Sequence, residues 1–112
     1  MRLDFEFKHN TLIVRLSGDM DLGIADSLRN SLEAALDQQS VINLIFNLAQ
    51  VSFLDSSILG VLLGRYKRIS KKGGKVCIVE PQPQVRRILE MSGLFLVMEE
   101  FPSEDVALKN IG

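Results

Sequence analysis

Leu3, Phe5 and Phe7 alternate with Asp4, Glu6 and Lys8, and Leu12, Val14 and Leu16 alternate with Thr11, Ile13, Arg15 and Ser17. A period of two marks strands with one buried face, and Lys8-His9-Asn10 between them suits a turn, so the pair predicts a hairpin. Gly18-Asp19-Met20-Asp21 then reads as a turn. Beyond it the period lengthens: Ile24, Leu28, Leu32, Ala35 and Leu36 oppose Asp26, Arg29, Asn30, Glu33 and Asp37, predicting a helix over about 22–38 with Asp21 as its cap. Val41 to Leu48 is almost unbroken apolar sequence, the pattern of a central strand covered on both faces. A second helix over about 56–71 carries Leu59, Leu62, Leu63, Tyr66 and Ile69 as its core stripe, and Gly73-Gly74 ends it. Val76–Val79 is the next strand, and Pro81 and Pro83 lead into a helix with Val85, Ile88, Leu89 and Met91. Ser92-Gly93 closes that helix; Leu96 to Phe101 predicts a last strand, and Pro102-Ser103-Glu104-Asp105 opens a fourth helix through Leu108.

The order is β-β-α-β-α-β-α-β-α. Right-handed crossovers make this an α/β chain whose sheet of about five strands is mixed but largely parallel, with about four helices. At 112 residues it is a single domain, 1–112, with room for one core. With 46% hydrophobic and 24% charged residues the chain is expected to be globular, and a net charge of −1 gives no bulk attraction to nucleic acid. Arg65, Lys67, Arg68, Lys71, Lys72 and Lys75 read as the solvated face and C-terminal end of the second helix. Cys77 is the one cysteine, set in a strand pattern, and His9 the one histidine, set in a turn. A disulfide or a multi-ligand metal site is therefore not expected. No histidine lies near the serines, and there is neither a thiol pair nor a glycine-rich cofactor loop, so the sequence predicts no catalytic residues, no cofactor and no enzyme. No signal peptide opens the chain, and the longest apolar run, Ile58 to Leu63, is far short of the roughly 20 residues of a membrane span. A cytoplasmic protein with no membrane partner is expected.

Chemistry concentrates in Val51-Ser52-Phe53-Leu54-Asp55-Ser56-Ser57-Ile58-Leu59-Gly60. Asp55 is an N-cap candidate, its carboxylate placed to accept from the free N–H groups that open a helix, which leaves Ser56 and Ser57 in the first turn. Those N–H groups and the helix dipole tolerate an added anion, so a phosphate on such a serine suits a switch better than a catalyst. Asp-Ser-Ser also serves as plain capping chemistry. Asp19 and Asp21 suit a turn and a cap as well as a partner contact. Gly60 and Gly64 each cost a helix about 1 kcal/mol against alanine. Close approach to the sheet, or to a partner, would account for them.

Phe53-Leu54-Asp55-Ser56-Ser57, Leu59-Gly60 and Leu63-Gly64-Arg65-Tyr66-Lys67 together resemble the anti-sigma factor antagonists of the STAS domain family, most closely the sporulation type. Leu16-Ser17-Gly18-Asp19-Met20-Asp21 is similar to that family's acidic turn, and Met91-Ser92-Gly93-Leu94-Phe95 to its signature after the third helix. The resemblance runs from about residue 3 to about residue 110. It implies the STAS fold, with helices packed mainly on one face of the sheet. It also implies a protein that, unphosphorylated, binds an anti-sigma factor with serine kinase activity and releases the sigma factor. Phosphorylation of Ser56 by that kinase would turn it off, and a serine phosphatase would reset it. Asp19, Asp21, Asp55, Ser56, Ser57, Ile58 and Gly60 are the partner-binding residues so implied. The alternative within the fold is another regulatory role, such as a stress-response antagonist; a chain complete without spans argues against the module of an anion transporter. Ile58 stands where relatives usually have glycine. Counted around the helix it falls off the core stripe, so it is expected to be partly exposed and to add apolar partner contact.

Overall fold

A computed structural model describes residues 2–111. The elements run β1 (Arg2–Lys8), β2 (Thr11–Met20), α1 (Ala25–Gln38), β3 (Asn43–Leu54), α2 (Ser56–Ser70), β4 (Val76–Val79), α3 (Pro83–Met91), β5 (Glu99–Phe101) and α4 (Glu104–Ile111). One sheet holds all five strands in the order β1-β2-β3-β4-β5. The hairpin pairs antiparallel, with Phe5 opposite Val14 and His9-Asn10 at the tip; the other three pairings are parallel.

Alternation along the strands divides the core in two. Leu12, Val14 and Leu16 of β2 and Leu44, Phe46 and Leu48 of β3 pack on one side, together with Leu28 and Leu32 of α1, Leu62 of α2 and Val85 and Leu89 of α3. Ile13, Ile45, Cys77 and Val79 point to the other side, where Ala107 of α4 and Phe101 cover them. Three helices on one face and one short helix on the other is the arrangement expected. Burial holds the Cys77 thiol up at about 12, so it stays protonated in the core. On the α4 face Arg15 donates to Glu104 and to Glu6, each at 2.7 Å, and Asn47 donates to Glu104 at 2.6 Å, which ties α4 across three strands.

Three boundaries differ from the sequence pattern, each for a reason of pairing. Gly18-Asp19-Met20, expected as a turn, continues β2, because β3 also runs on through Leu54 and the two strands pair from Thr11↔Asn43 to Met20↔Leu54. Two register shifts break the alternation in that stretch, and Gly18 beside one of them sits at φ 96, where a side chain would be strained. The helix expected from 22 opens as a 3-10 turn, Leu22–Ile24, before α1 proper. Leu94–Leu96 also forms a 3-10 turn, so the last strand is only Glu99–Phe101.

Of the two readings of the α2 glycines, close approach to the sheet does not hold, since a Cβ at Gly60 or Gly64 would meet nothing within 4 Å. Gly74 is the position that needs its bareness, since a Cβ there would lie 1.8 Å from the Ile42 carbonyl oxygen. Arg65 is 7% exposed, between α2 and α1, where its guanidinium meets Glu33 at 3.2 Å while Nε and Nη1 find no partner. Arg68 reaches the same Glu33 and also Asp37. Among the described residues no helix is long and apolar enough to cross a membrane.

Candidate functional site

The long β2–β3 pairing ends in a point where two strands and a helix meet. The Asp55 amide donates to the Met20 carbonyl at 2.8 Å, so the chain leaving β3 is pinned to the end of β2 before it enters α2. Asp55 has extended backbone angles, φ −82 and ψ 157, and its Oδ2 accepts from the Ser57 amide at 2.9 Å and from the Ser57 hydroxyl at 2.7 Å. It is the N-cap the sequence predicts. Those bonds, the backbone one first, hold the Asp55 carboxyl below the usual carboxylate range.

The two serines are thereby made unlike. Ser57 is half-buried and its hydroxyl is committed to Asp55. Ser56 is exposed, one residue into the helix, and its hydroxyl makes no bond within the described residues. It lies at the carboxyl end of a parallel strand and the amino end of a helix, the edge at which open α/β sheets carry their sites.

Asp19 and Asp21 flank Met20 and so lie beside this cap, both exposed. Asp19 accepts from the Ser52 hydroxyl at 2.7 Å across the strand pair. Asp21, expected as a helix cap, makes no side-chain cap bond; only its carbonyl accepts, from the Ile24 amide at 3.2 Å. The 3-10 turn replaces the α-helical first turn whose amides its carboxylate would have met. Three carboxylates, Asp19, Asp21 and Asp55, thus share one end of the sheet around Ser56. Gly60 is exposed one turn further along α2.

Ile58 corrects the expectation. It is 0% exposed and lies in the main core cluster, and the buried line on α2 runs Ile58, Val61, Leu62, Arg65 and Ile69, while Leu59, Leu63 and Tyr66 are only partly covered. The stripe is rotated about one residue from the one expected, because the helix buries Arg65, a residue an apolar count passes over. Ile58 therefore adds no partner contact; it anchors the first turn of α2. Two residues outside the expected set belong to the surface. Leu22 is 70% exposed and Phe53 47% exposed, each beside one of the aspartates. Phe53 follows a break in the alternation: Val51 and Leu54 are buried and Ser52 and Phe53 between them exposed, at the register shift where Gly18 pairs with Val51 and Asp19 with Phe53. A count by two from Val51 would place Phe53 inward, so local spacing gives no signal for it.

Known proteins share the family and the fold. The STAS domain family model matches residues 2–107. A relative from Paenibacillus polymyxa named anti-sigma F factor antagonist is 40% identical over 113 residues, covering 99% of this chain and 97% of the relative. The solved structure of the anti-sigma factor antagonist SpoIIAA in its unphosphorylated form superposes with a TM-score of 0.85 at 29% identity, over 98% of this chain and 96% of that one. The Bacillus cell fate determinant SpoIIAA in its phosphorylated form superposes with a TM-score of 0.76 at 28% identity, over 99% of this chain and 100% of that one.

Proposed function

The chain belongs to the STAS domain family, and from that premise we propose that it is an anti-sigma factor antagonist that works by partner switching. In the unphosphorylated state it binds an anti-sigma factor and so frees the sigma factor. That anti-sigma factor is also a serine kinase, which transfers a phosphoryl group from ATP to the Ser56 hydroxyl and ends the complex; a serine phosphatase restores it. The relative named for sigma F favours the sporulation type over the stress-response type.

The observation that carries the assignment is the inequality of the two serines. A kinase needs a hydroxyl that is exposed and free to turn, which describes Ser56; Ser57 would first have to give up its bond to Asp55 and with it part of the helix cap. Phosphate on Ser56 adds about −1.5 to −2 charge beside Asp19, Asp21 and Asp55. The helix N-terminus tolerates that charge, so the fold stays, while a partner surface matched to three carboxylates meets a bulky, hydrated dianion instead. Leu22 and Phe53 supply apolar contact at the rim, and the open backbone at Gly60 and Gly64 gives a partner close access to α2.

Mass spectrometry after incubation with the anti-sigma factor and ATP tests the assignment, with phosphate expected on Ser56 alone. Ser56→Asp is expected to melt like the parent protein yet fail to bind, and Ser56→Ala to bind and resist inactivation. Phosphate found on Ser57, or on neither serine, would refute it.

A further inference from the structure

The N-terminal ends of the parallel strands lie at the opposite end of the sheet from Ser56, and they carry a surface that partner switching does not use. Leu96 is 90% exposed, and Val97 and Ile42 are each 43% exposed. Lys71 and Lys72, at the end of α2, and Lys75, just before β4, are all exposed and none forms an ion pair among the described residues. Leu96 adjoins Val97 in the chain, and Lys71 and Lys72 stand three and two residues before Gly74, which Lys75 follows. Lys75 and Val97 line one open cavity of about 220 Å³, and Gly74 packs against the Ile42 carbonyl. Glu99 is the one carboxylate in that lining, and Asp37 and Glu33 nearby are tied to Arg68.

We propose that this end of the molecule is a contact for a membrane surface rich in anionic phospholipid. Protruding apolar side chains flanked by unpaired lysines are the chemistry of interfacial binding: the apolar groups enter the headgroup boundary while lysine stems lie along it and hold their charges at the phosphates. An acidic protein would satisfy the lysines but would need a pocket shaped for Leu96, which stands clear of its own chain; a bilayer needs none. The contact is peripheral, not a span. It turns the Ser56 end away from the bilayer, so the protein can meet the membrane and its regulatory partner at once. It also gives the lysines of the α2 end, expected from the sequence to be only solvated, a partner.

Co-sedimentation of the full chain with vesicles of mixed phosphatidylglycerol and phosphatidylcholine tests this, against vesicles of phosphatidylcholine alone. The parent protein is expected to sediment only with the anionic vesicles and to be released near 1 M salt, where the screening length falls to about 3 Å. Leu96→Asn, and separately Lys72→Glu with Lys75→Glu, are each expected to weaken capture about tenfold or more with thermal melting unchanged. Failure to sediment with anionic vesicles overturns the proposal, as does capture that either variant leaves within twofold. Retention on a polyglutamate matrix without vesicle binding identifies an acidic protein as the occupant and overturns it too. None of these readouts requires the anti-sigma factor, so their outcome is independent of the assignment of Ser56.

Discussion

Truncating Ile58 tests whether the switch loop is held by the core. The side chain is wholly buried in the cluster formed by α1, α2, α3 and the sheet, two residues after Ser56, the serine proposed to carry the switch. Ile58→Ala removes three buried carbons and leaves space that the strand ends, fixed by the Asp55–Met20 bond, cannot fully close. Burial loss and cavity together cost about 2–5 kcal/mol for such a change, and the better helix propensity of alanine returns a few tenths, so the net expectation is about 2–4 kcal/mol. Ile58→Val should cost about 0.5–1.5 kcal/mol. Urea unfolding followed by circular dichroism reads both, with the slope unchanged and only the midpoint moved. Thermal midpoints should fall about 4 °C per kcal/mol in a domain of this size. Phosphorylation of Ser56, measured where the variant is fully folded, should keep its rate, because the deleted atoms do not reach the surface. A loss below about 1 kcal/mol for Ile58→Ala would show that the first turn of α2 is not anchored there. Unchanged stability with slowed phosphorylation would return Ile58 to the partner surface.

Glu33→Gln should destabilise by about 1–3 kcal/mol, since it leaves Arg65 buried with no counter-charge; Arg65→Met in the same chain should recover most of that in urea unfolding, and no recovery would refute the coupling. Asp19→Ala and Asp21→Ala should each weaken binding of the anti-sigma factor about two- to fivefold, the range of an exposed charge pair, and reduce its salt dependence in surface plasmon resonance, with the melting temperature unchanged. For Asp21 that last result is firm because its side chain caps nothing. The carboxyls of Asp55 and Glu104 are held below their ordinary range, by bonds to Ser57 and to Arg15 respectively. Their stabilising contribution is therefore complete above the unfolded carboxylate range near pH 4 and disappears as pH falls through the lower folded values. Glu104→Gln should be less stable than the parent near neutrality and should show a shallower loss of stability on acidification below about pH 4. A parallel acid limb in the two proteins would contradict it.

Much of this was legible in the residue pattern. Alternation gave the hairpin, unbroken apolar runs gave β3 and β4, and the change of period gave three helices, because each of these buries a face that only one spacing can bury. What the pattern missed is pairing over distance. Gly18-Asp19-Met20 has the composition of a turn, yet it is strand, since the matching stretch Val51–Leu54 is there to pair with it. Leu96 and Val97 have the composition of a strand, yet β4 offers only Val76–Val79 to pair with, and β5 begins after them. Ile58 was misplaced for a related reason: a buried arginine, accepted because α1 supplies Glu33, shifts the inward face of α2 by one position. Local spacing cannot register a counter-charge supplied by another helix.

The same rotation explains how a charge can act at this site without refolding it. Ile58 faces the core, Ser57 is turned back onto Asp55, and Asp55 is fastened through its amide to β2, whereas the Ser56 hydroxyl makes no bond among the described residues. A group added to its hydroxyl therefore has nothing to pull on. Its effect stays at the surface, where a change of nearly two charges beside three carboxylates is large against the energies of exposed ion pairs and small against those of the core.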